Sequence, residues 1–247
     1  MNYHWNWGVF FDQAMPGQTY LDWLLSGLAM TVSLGLCAWL VALVLGVAMG
    51  VLRTLPGRVL PGLAGAYVEF FRNIPLLVQL FAWYFVVPEV LPGGLGEAIK
   101  GLNPFLQQFL AAVACLGMYT SARICEQVRA GIQSLPPGQR NAGLALGMTL
   151  PQTYRHVLLP VALRVIVPPM TSEFMTVFKN SAVASLIGLL DLTAQGKQLV
   201  DYTAQPYETF TAVTLLYLAV NMSALSAMRW VEARVRLPGA ARDGRGS

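Results

Sequence analysis

Charged residues are scarce in this sequence. Asp, Glu, Lys and Arg make up 11% of the 247 residues, whereas they are about a quarter of a typical soluble domain. Residues of the set AVILMFWYC reach 55%, and the mean hydropathy is +0.55. A chain of this composition is solvated by lipid, which excludes a cytosolic enzyme, a disordered scaffold and a secreted disulfide module.

Residues and motifs that carry chemistry are also rare. The cysteines Cys37, Cys115 and Cys125 lie inside apolar runs, where they act as small apolar side chains. The histidines His4 and His156 are far apart, and the sequence has no H-E-x-x-H, C-x-x-C or G-x-x-x-x-G-K-[ST] motif. We therefore expect no catalytic site, no metal site and no cofactor bound by this chain. Any ATP and Mg²⁺ that drive its function must be used by partner subunits.

Apolar stretches long enough to cross a membrane are abundant, since a bilayer core needs about 20 residues of helix. Five such spans are predicted, at residues 24–52, 60–91, 104–132, 157–190 and 207–228. The second should kink near Asn73-Ile74-Pro75, because proline removes a backbone donor. The predicted fold is an all-α, polytopic membrane protein with five transmembrane helices, whose transmembrane domain covers residues 24–236.

Positive charge is distributed unevenly between the connections. With the N-terminus outside, the outer segments hold only Lys100 and Lys197. The inner segments hold Arg53, Arg58, Arg129, Arg140, Arg155, Arg229, Arg234, Arg236, Arg242 and Arg245. Because positive segments stay in the cytoplasm, we predict a membrane protein with its N-terminus outside and its C-terminus inside. The bacterial inner membrane as its location is implied only by the resemblance described below. Residues 1–23 form an interfacial periplasmic segment, and residues 237–247 a disordered tail.

The inner connection at residues 134–156 is too long and too patterned for a plain turn. Asn141 to Gly147 is predicted to be helical, small on one side and apolar on the other, and a break at Thr149-Leu150-Pro151 starts a second helix. Small residues at Ala142, Gly143 and Gly147 permit another surface to approach closely. An ordinary re-entrant or amphipathic loop is the alternative interpretation.

This loop resembles the cytoplasmic signature of ABC importer permeases, Glu-Ala-Ala, three residues, Gly, nine residues, then Ile-x-Leu-Pro. Asn141-Ala142-Gly143 stand in the Glu-Ala-Ala place, Gly147 in the glycine place, and Val157 to Pro160 complete the spacing. The sequence departs from the signature by Asn for Glu and by Gly for the second Ala.

Further stretches are similar to the polar amino acid permeases, namely FFRNIPLLVQLF (70–81), EQVRAGIQSLPPGQ (126–139) and KNSAVASLIG (179–188). RICEQVR (123–129) together with PPMTSEFM (168–175) is most similar to the glutamate/aspartate import permeases. The resemblances cover most of residues 24 to 236.

The resemblance implies a type I ABC importer permease that works by alternating access and takes up amino acids, with glutamate or aspartate as the expected substrate. Two ATP-binding subunits would dock on the loop, through Asn141, Ala142, Gly143, Gly147, Leu150, Pro151 and Pro160. A second, non-identical permease would enclose the path within the lipid, and a solute-binding protein would deliver the substrate. No nucleic acid is expected. The alternative is a stand-alone ion-coupled secondary amino acid carrier, which the lack of an inverted repeat disfavours.

Charges inside the spans require a partner or a wet cavity, because an ion at the centre of a lone helix costs about 2.5–3.5 kcal/mol. Glu69 and Arg72 are three residues apart and are predicted to form a structural ion pair. Arg123 and Glu126 repeat this spacing, with Arg129 three residues further on. The candidate substrate path comprises Arg123, Glu173, Lys179, Asn180 and Ser181, for which the alternative roles are a ladder toward the headgroups and interhelical hydrogen bonding.

Overall fold

The computed structural model describes residues 3–235, so the tail predicted at residues 237–247 lies outside the described part. Its α-helices are α1 (Tyr20–Leu52), α2 (Val59–Asn73), α3 (Leu76–Phe81), α4 (Val87–Val90), α5 (Leu95–Lys100), α6 (Pro104–Gln133), α7 (Pro137–Ala145), α8 (Leu150–Thr153), α9 (Leu159–Asn180), α10 (Leu192–Thr203) and α11 (Pro206–Val235). The all-α polytopic fold is confirmed.

The segment ahead of the first span folds into small elements of its own. A 3-10 helix at Trp7–Phe11 precedes the antiparallel strands β1 (Gln13–Met15) and β2 (Gln18–Thr19). α1 then begins at Tyr20, ahead of the predicted start at residue 24, because Thr19 and Asp22 form a capping box.

Four helical stretches among the described residues are long and apolar enough to cross a membrane. They are Tyr20–Leu52, Pro104–Gln133, Leu150–Ile187 and Pro206–Val235. The second predicted span is instead a bent pair, α2 followed by Leu76–Val90, with 104° between the halves. Ile74 is extended with ψ 131°, as a residue before proline tends to be, so the expected kink at Pro75 is a sharp break.

The fourth span begins earlier than the predicted residue 157. A π-helical turn at Tyr154–Leu158 joins α8 to α9, so the second helix of the inner connection runs directly into the span. Another π-helical turn, at Ala82–Val86, precedes Pro88 as this one precedes Pro160. A proline cannot donate to the carbonyl four residues back, and the wider turn absorbs that missing hydrogen bond.

The core lies between α1, α6 and α9. Gly46 and Gly50 on α1 face Ile124 and Val128 on α6, where an added Cβ would come within 2.7 Å and 2.5 Å of those side chains. Small residues of this kind bring the backbones of membrane helices close together. This packing fixes the side of α6 that faces α1 and turns Arg123 toward α9.

Candidate functional site

An ion pair between α6 and α9 is the centre of the candidate site. Arg123 donates from Nε to Glu173 Oε2 at 2.6 Å and from Nη2 to Glu173 Oε1 at 3.1 Å. Gln127, one turn along α6, donates to Glu173 Oε1 at 3.1 Å. The Glu173 side chain is only 8% exposed, whereas that of Arg123 is 43% exposed. The carboxylate is therefore anchored, and the guanidinium keeps one open side.

Aromatic rings pack α9 against α1 at the residue after Glu173. The ring centroid of Phe174 lies 4.9 Å from that of Trp39 on α1 and 5.0 Å from that of Phe178. All three side chains are buried. This packing fixes α9 relative to α1, and the exposed part of Arg123 is the direction from which a ligand can approach.

The other predicted path residues do not gather around the ion pair. Lys179 is exposed in the last turn of α9, Asn180 is half-buried, and Ser181 is buried and donates to the carbonyl of Phe178 at 2.8 Å. Consecutive helical residues point about 100° apart. The polar cluster that the sequence indicated is therefore spread around the helix.

The ion pair predicted within α2 is wrong, and the equally spaced Arg123 and Glu126 on α6 do not pair either. Within residues 3–235, no ion pair joins Glu69 to Arg72, and both side chains are exposed on α2. Arg123 pairs with Glu173 rather than with Glu126. Glu126 is occupied by Arg53 from the end of α1 and by Arg129, whose Nη2 lies 2.8 Å from Glu126 Oε2. Arg123 thus takes a partner from another helix, whereas Glu126 pairs both with Arg53 from α1 and with Arg129 on its own helix.

The coupling segment, residues 137–160, has the predicted helix–turn–helix form. Gly147 follows α7 with φ +80°, and Met148 N–H donates to the carbonyl of Gly143 at 3.2 Å. This left-handed residue closes a C-terminal capping turn that favours glycine. Gly143 is buried against α8, where an added Cβ would lie 2.8 Å from Thr153 Cγ2. Its small size serves packing within the chain rather than the approach of another surface.

The outer face of the coupling segment carries the remaining predicted residues. Asn141, Ala142, Gly147, Pro151 and Pro160 are exposed, and Leu150 is half-buried. Sequence reasoning missed Leu144 and Leu146, which are 41% and 79% exposed. The sequence predicts an apolar side for this helix, and an apolar side normally faces the core, whereas these two leucines face outward.

A buried acid directly before α10 was also missed. Asp191 has no solvent exposure; it caps α10 by accepting the Ala194 N–H at 2.9 Å and accepts the Tyr217 hydroxyl at 3.2 Å. Burial raises the pKa of the Asp191 carboxyl above its ordinary value. The backbone N–H of Leu192 donates to Thr31 Oγ1 at 3.1 Å, which ties the same corner to α1.

Bent and continuous spanning helices, an ion pair with one open side and a short helical pair at one end are features of a membrane transport subunit. The family model for the binding-protein-dependent transport system inner membrane component matches residues 42–237. The chain belongs to this family. It is therefore a permease component of a binding-protein-dependent system, and the stand-alone carrier alternative is disfavoured.

Individual relatives agree with this assignment. The chain is 56% identical over 241 residues to the glutamate/aspartate import permease protein GltJ of Escherichia coli (strain K12), covering 97% of this chain and 98% of that one. It is 36% identical over 192 residues to the probable glutamine ABC transporter permease protein GlnM of Bacillus subtilis (strain 168), covering 78% and 83%.

Solved structures show the same architecture. One chain of an amino acid ABC transporter crystallised with histidines superposes with a TM-score of 0.72 at 31% identity, covering 87% of this chain and 95% of that one. A chain of the inward-facing MetNI methionine ABC transporter gives 0.66 at 25% identity, covering 88% and 96%. The predicted type I importer fold is confirmed.

Proposed function

We propose that this chain is the permease subunit of an ATP-driven importer for glutamate and aspartate. The observation that carries the proposal is the contact in which Arg123 donates two parallel hydrogen bonds to Glu173. The guanidinium group of Arg123 remains open on one side. The similarity to a glutamate/aspartate permease supports the same substrate class. A cation inside the spans is what an acidic substrate needs, because unpaired carboxylates are costly within a bilayer.

Substrate binding proceeds by exchange of carboxylates on Arg123. Before the substrate arrives, Glu173 neutralises the guanidinium, which keeps both charges paired in a medium of low dielectric constant. The side-chain carboxylate of glutamate or aspartate presents the same two oxygen atoms and takes over the parallel N–H bonds. Glu173, held by Gln127, is then available to the ammonium group.

The coupling segment transmits the conformational change driven by ATP hydrolysis to the Arg123–Glu173 pair. Two ATP-binding subunits dock on the exposed face of α7 and α8, where Asn141, Ala142, Leu144 and Leu146 are accessible. Helical structure is continuous from Leu150 to Ile187 and includes Glu173. A displacement of the coupling segment therefore moves the carboxylate directly relative to Arg123 on α6.

The other subunits of the importer complete this arrangement. A second, non-identical permease closes the open side of Arg123, because one chain does not enclose a polar path. A solute-binding protein delivers the amino acid at the outer face, with the N-terminus of this chain outside and its C-terminus in the cytoplasm. ATP and Mg²⁺ are bound by the ATP-binding subunits.

Uptake by reconstituted vesicles tests the proposal. The complex is purified with its co-eluting chains, placed in proteoliposomes and supplied with labelled glutamate and its binding protein outside. We expect uptake only with ATP on the side of the coupling segment, and stoichiometric ATP-binding chains in the purified complex. Uptake driven by an ion gradient without ATP would instead identify a secondary carrier.

A further inference from the structure

A polar cavity lies on the α2 side of α6, away from the Arg123–Glu173 pair. It has a volume of about 330 Å³ and is lined by Arg53, Val68, Glu69, Arg72, Asn73 and Glu126. All but one of these side chains are charged or carry an amide. This lining differs from the apolar surfaces that the chain presents elsewhere to lipid, so the cavity is suited to a polar ligand.

The cavity lies beside the C-terminal ends of α1 and α2, since Arg53 caps α1 and Asn73 ends α2. Its buried wall is Val68, which packs against Ala122 and Cys125 on α6. Charged side chains next to apolar helices are stable only with a partner or in a water-filled space.

Two of the four charged side chains are already satisfied. Arg53 pairs with Glu126, and Arg129 braces the same carboxylate from Nε at 3.0 Å and from Nη2 at 2.8 Å. Glu69 and Arg72 form no ion pair with each other or with any other described residue. The cavity thus presents one free anion and one free cation on the same face of α2.

The break after α2 adds to this polarity. α2 ends at Asn73, beside the cavity, and its last carbonyl oxygens give this end partial negative charge. Gln79 donates to the carbonyls of Phe71 and Ile74 at 2.7 Å and 2.9 Å, which holds the broken end in place. Discontinuous helices whose ends meet a polar ligand are a general device of transporters. Glu69 and this helix end are complementary in charge to an ammonium group, and Arg72 is complementary to a carboxylate.

We propose that the cavity binds the zwitterionic α-amino and α-carboxylate groups of a free amino acid, as a second station separate from Arg123. The proposal rests on the function proposed above for its substrate. Arg123 selects the acidic side chain, whereas Glu69 and Arg72 select the groups that every α-amino acid carries. The second station is therefore indifferent to whether the side chain ends in a carboxylate or an amide.

Equilibrium binding to the assembled transporter tests this assignment. The complex with its second permease and ATP-binding subunits, but without the binding protein, is placed in nanodiscs of phosphatidylglycerol and titrated with labelled glutamate. We expect two classes of site. Unlabelled glutamine should displace glutamate from the α2 cavity only, and glutarate, which has no ammonium group, should displace it from Arg123 only.

Substitutions assign each class to its residues. Glu69→Gln with Arg72→Gln should weaken the glutamine-sensitive class about ten-fold or more, as expected for the loss of a charge-assisted hydrogen bond, while Arg72→Lys retains part of it. Arg58→Gln is the matched control, since Arg58 is an exposed arginine at the start of the same helix that does not line the cavity. Co-elution of all subunits checks assembly.

Several outcomes would overturn the assignment. A glutamine-sensitive class that survives the double substitution in an assembled complex places it elsewhere, and the absence of such a class removes the second station. Binding that is lost in phosphatidylethanolamine nanodiscs would mean that the cavity holds the ammonium and phosphate of that headgroup. Arg123→Gln should remove only the class of binding that glutarate displaces. This variant therefore distinguishes a failure of the site proposed at Arg123 from a failure of the site proposed in the α2 cavity.

Discussion

The hydroxyl of Tyr154 donates to the backbone carbonyl of Thr54 at 2.8 Å and lies 3.1 Å from the Thr54 hydroxyl, across 100 positions of the chain. Tyr154 begins the π-helical turn between α8 and α9, and Thr54 follows the last turn of α1. The contact joins the coupling segment to a second spanning helix, so a push on the segment reaches α1 as well as α9.

Tyr154→Phe removes this contact without changing the packed ring. A hydrogen bond of this kind contributes about 1 kcal/mol, so we expect normal assembly but several-fold less glutamate transported per ATP hydrolysed. The ratio of glutamate uptake to phosphate release in proteoliposomes measures the amount of glutamate transported per ATP hydrolysed. Tyr202→Phe is the control, because Tyr202 is an exposed tyrosine whose ring packs on Trp23. An unchanged ratio in Tyr154→Phe would exclude a role in coupling.

The glycines of the coupling segment predict different effects at neighbouring positions. Gly143→Ala should separate α7 from α8, since its Cβ would lie 2.8 Å from Thr153, and overpacking costs about 1–3 kcal/mol. Gly147→Trp strains a residue at φ +80° and places a ring on the docking face. We expect both to reduce co-purification of the ATP-binding subunits.

Gly138→Ala provides the comparison for these changes. Gly138 lies in α7, and an added Cβ there meets no atom within 4 Å, so co-purification should equal that of the wild type. Wild-type yield and uptake in Gly147→Trp would show that this face does not contact the ATP-binding subunits. Asn141→Glu, which restores the residue usual in the signature, should be tolerated.

Arg123→Gln should lower glutamate uptake more than glutamine uptake, where the complex carries glutamine. It removes both forked hydrogen bonds and leaves the buried Glu173 with Gln127 alone. Bonds to charged groups contribute about 1.5–3 kcal/mol, which corresponds to a reduction of roughly ten-fold or more. Initial rates of labelled uptake provide the measurement.

Lys179→Gln is the second cation change and should have a smaller effect, because Lys179 is exposed and has no ion pair among the described residues. Arg123→Lys keeps the charge but loses the fork, so its uptake should be intermediate. Unchanged glutamate transport in both Gln variants, with normal assembly, would assign substrate selection to the partner permease or the binding protein.

Asp191 predicts a pH dependence of stability. Burial raises the pKa of its carboxyl in the folded chain, so the folded state binds this proton more tightly than the unfolded state does. The stabilisation is present below the unfolded pKa and is lost as pH rises through the folded pKa. Asp191→Asn keeps an N-cap acceptor for α10 but does not ionise. It should therefore remove the part of the fall in Tm with rising pH that comes from ionisation of Asp191.

The Tm of the purified complex at about pH 5 and about pH 8 measures this linkage. We expect the decline between the two to be smaller in Asp191→Asn than in the wild type. Asp201→Asn, an exposed change on the same helix, should leave the decline unaltered. An equal decline in all three proteins would contradict a buried, titrating Asp191.

Spacing along the chain predicted local features well and contacts between helices poorly. Pro75 predicted a break and Thr149 predicted a helix start, because each acts through its own backbone. The left-handed turn at Gly147 is found only in the structure. The predicted ion pair between Glu69 and Arg72 does not form, although the two residues are three positions apart on one helix. Spacing on a helix shows which charges can meet but not which ones do. Glu126, for example, pairs with Arg53, which lies more than seventy positions away in the sequence.

Composition alone determined that this chain lies in lipid as a set of apolar helices, since a bilayer accepts few charges and requires satisfied backbone groups. The helix–turn–helix form of residues 137–160 was also predictable from the sequence, through its glycine and proline spacing. Only the tertiary structure decided which charges meet. Arg123 reaches Glu173 because glycines on α1 draw α6 close and orient it, and such orientations depend on the packing of side chains that are distant in sequence.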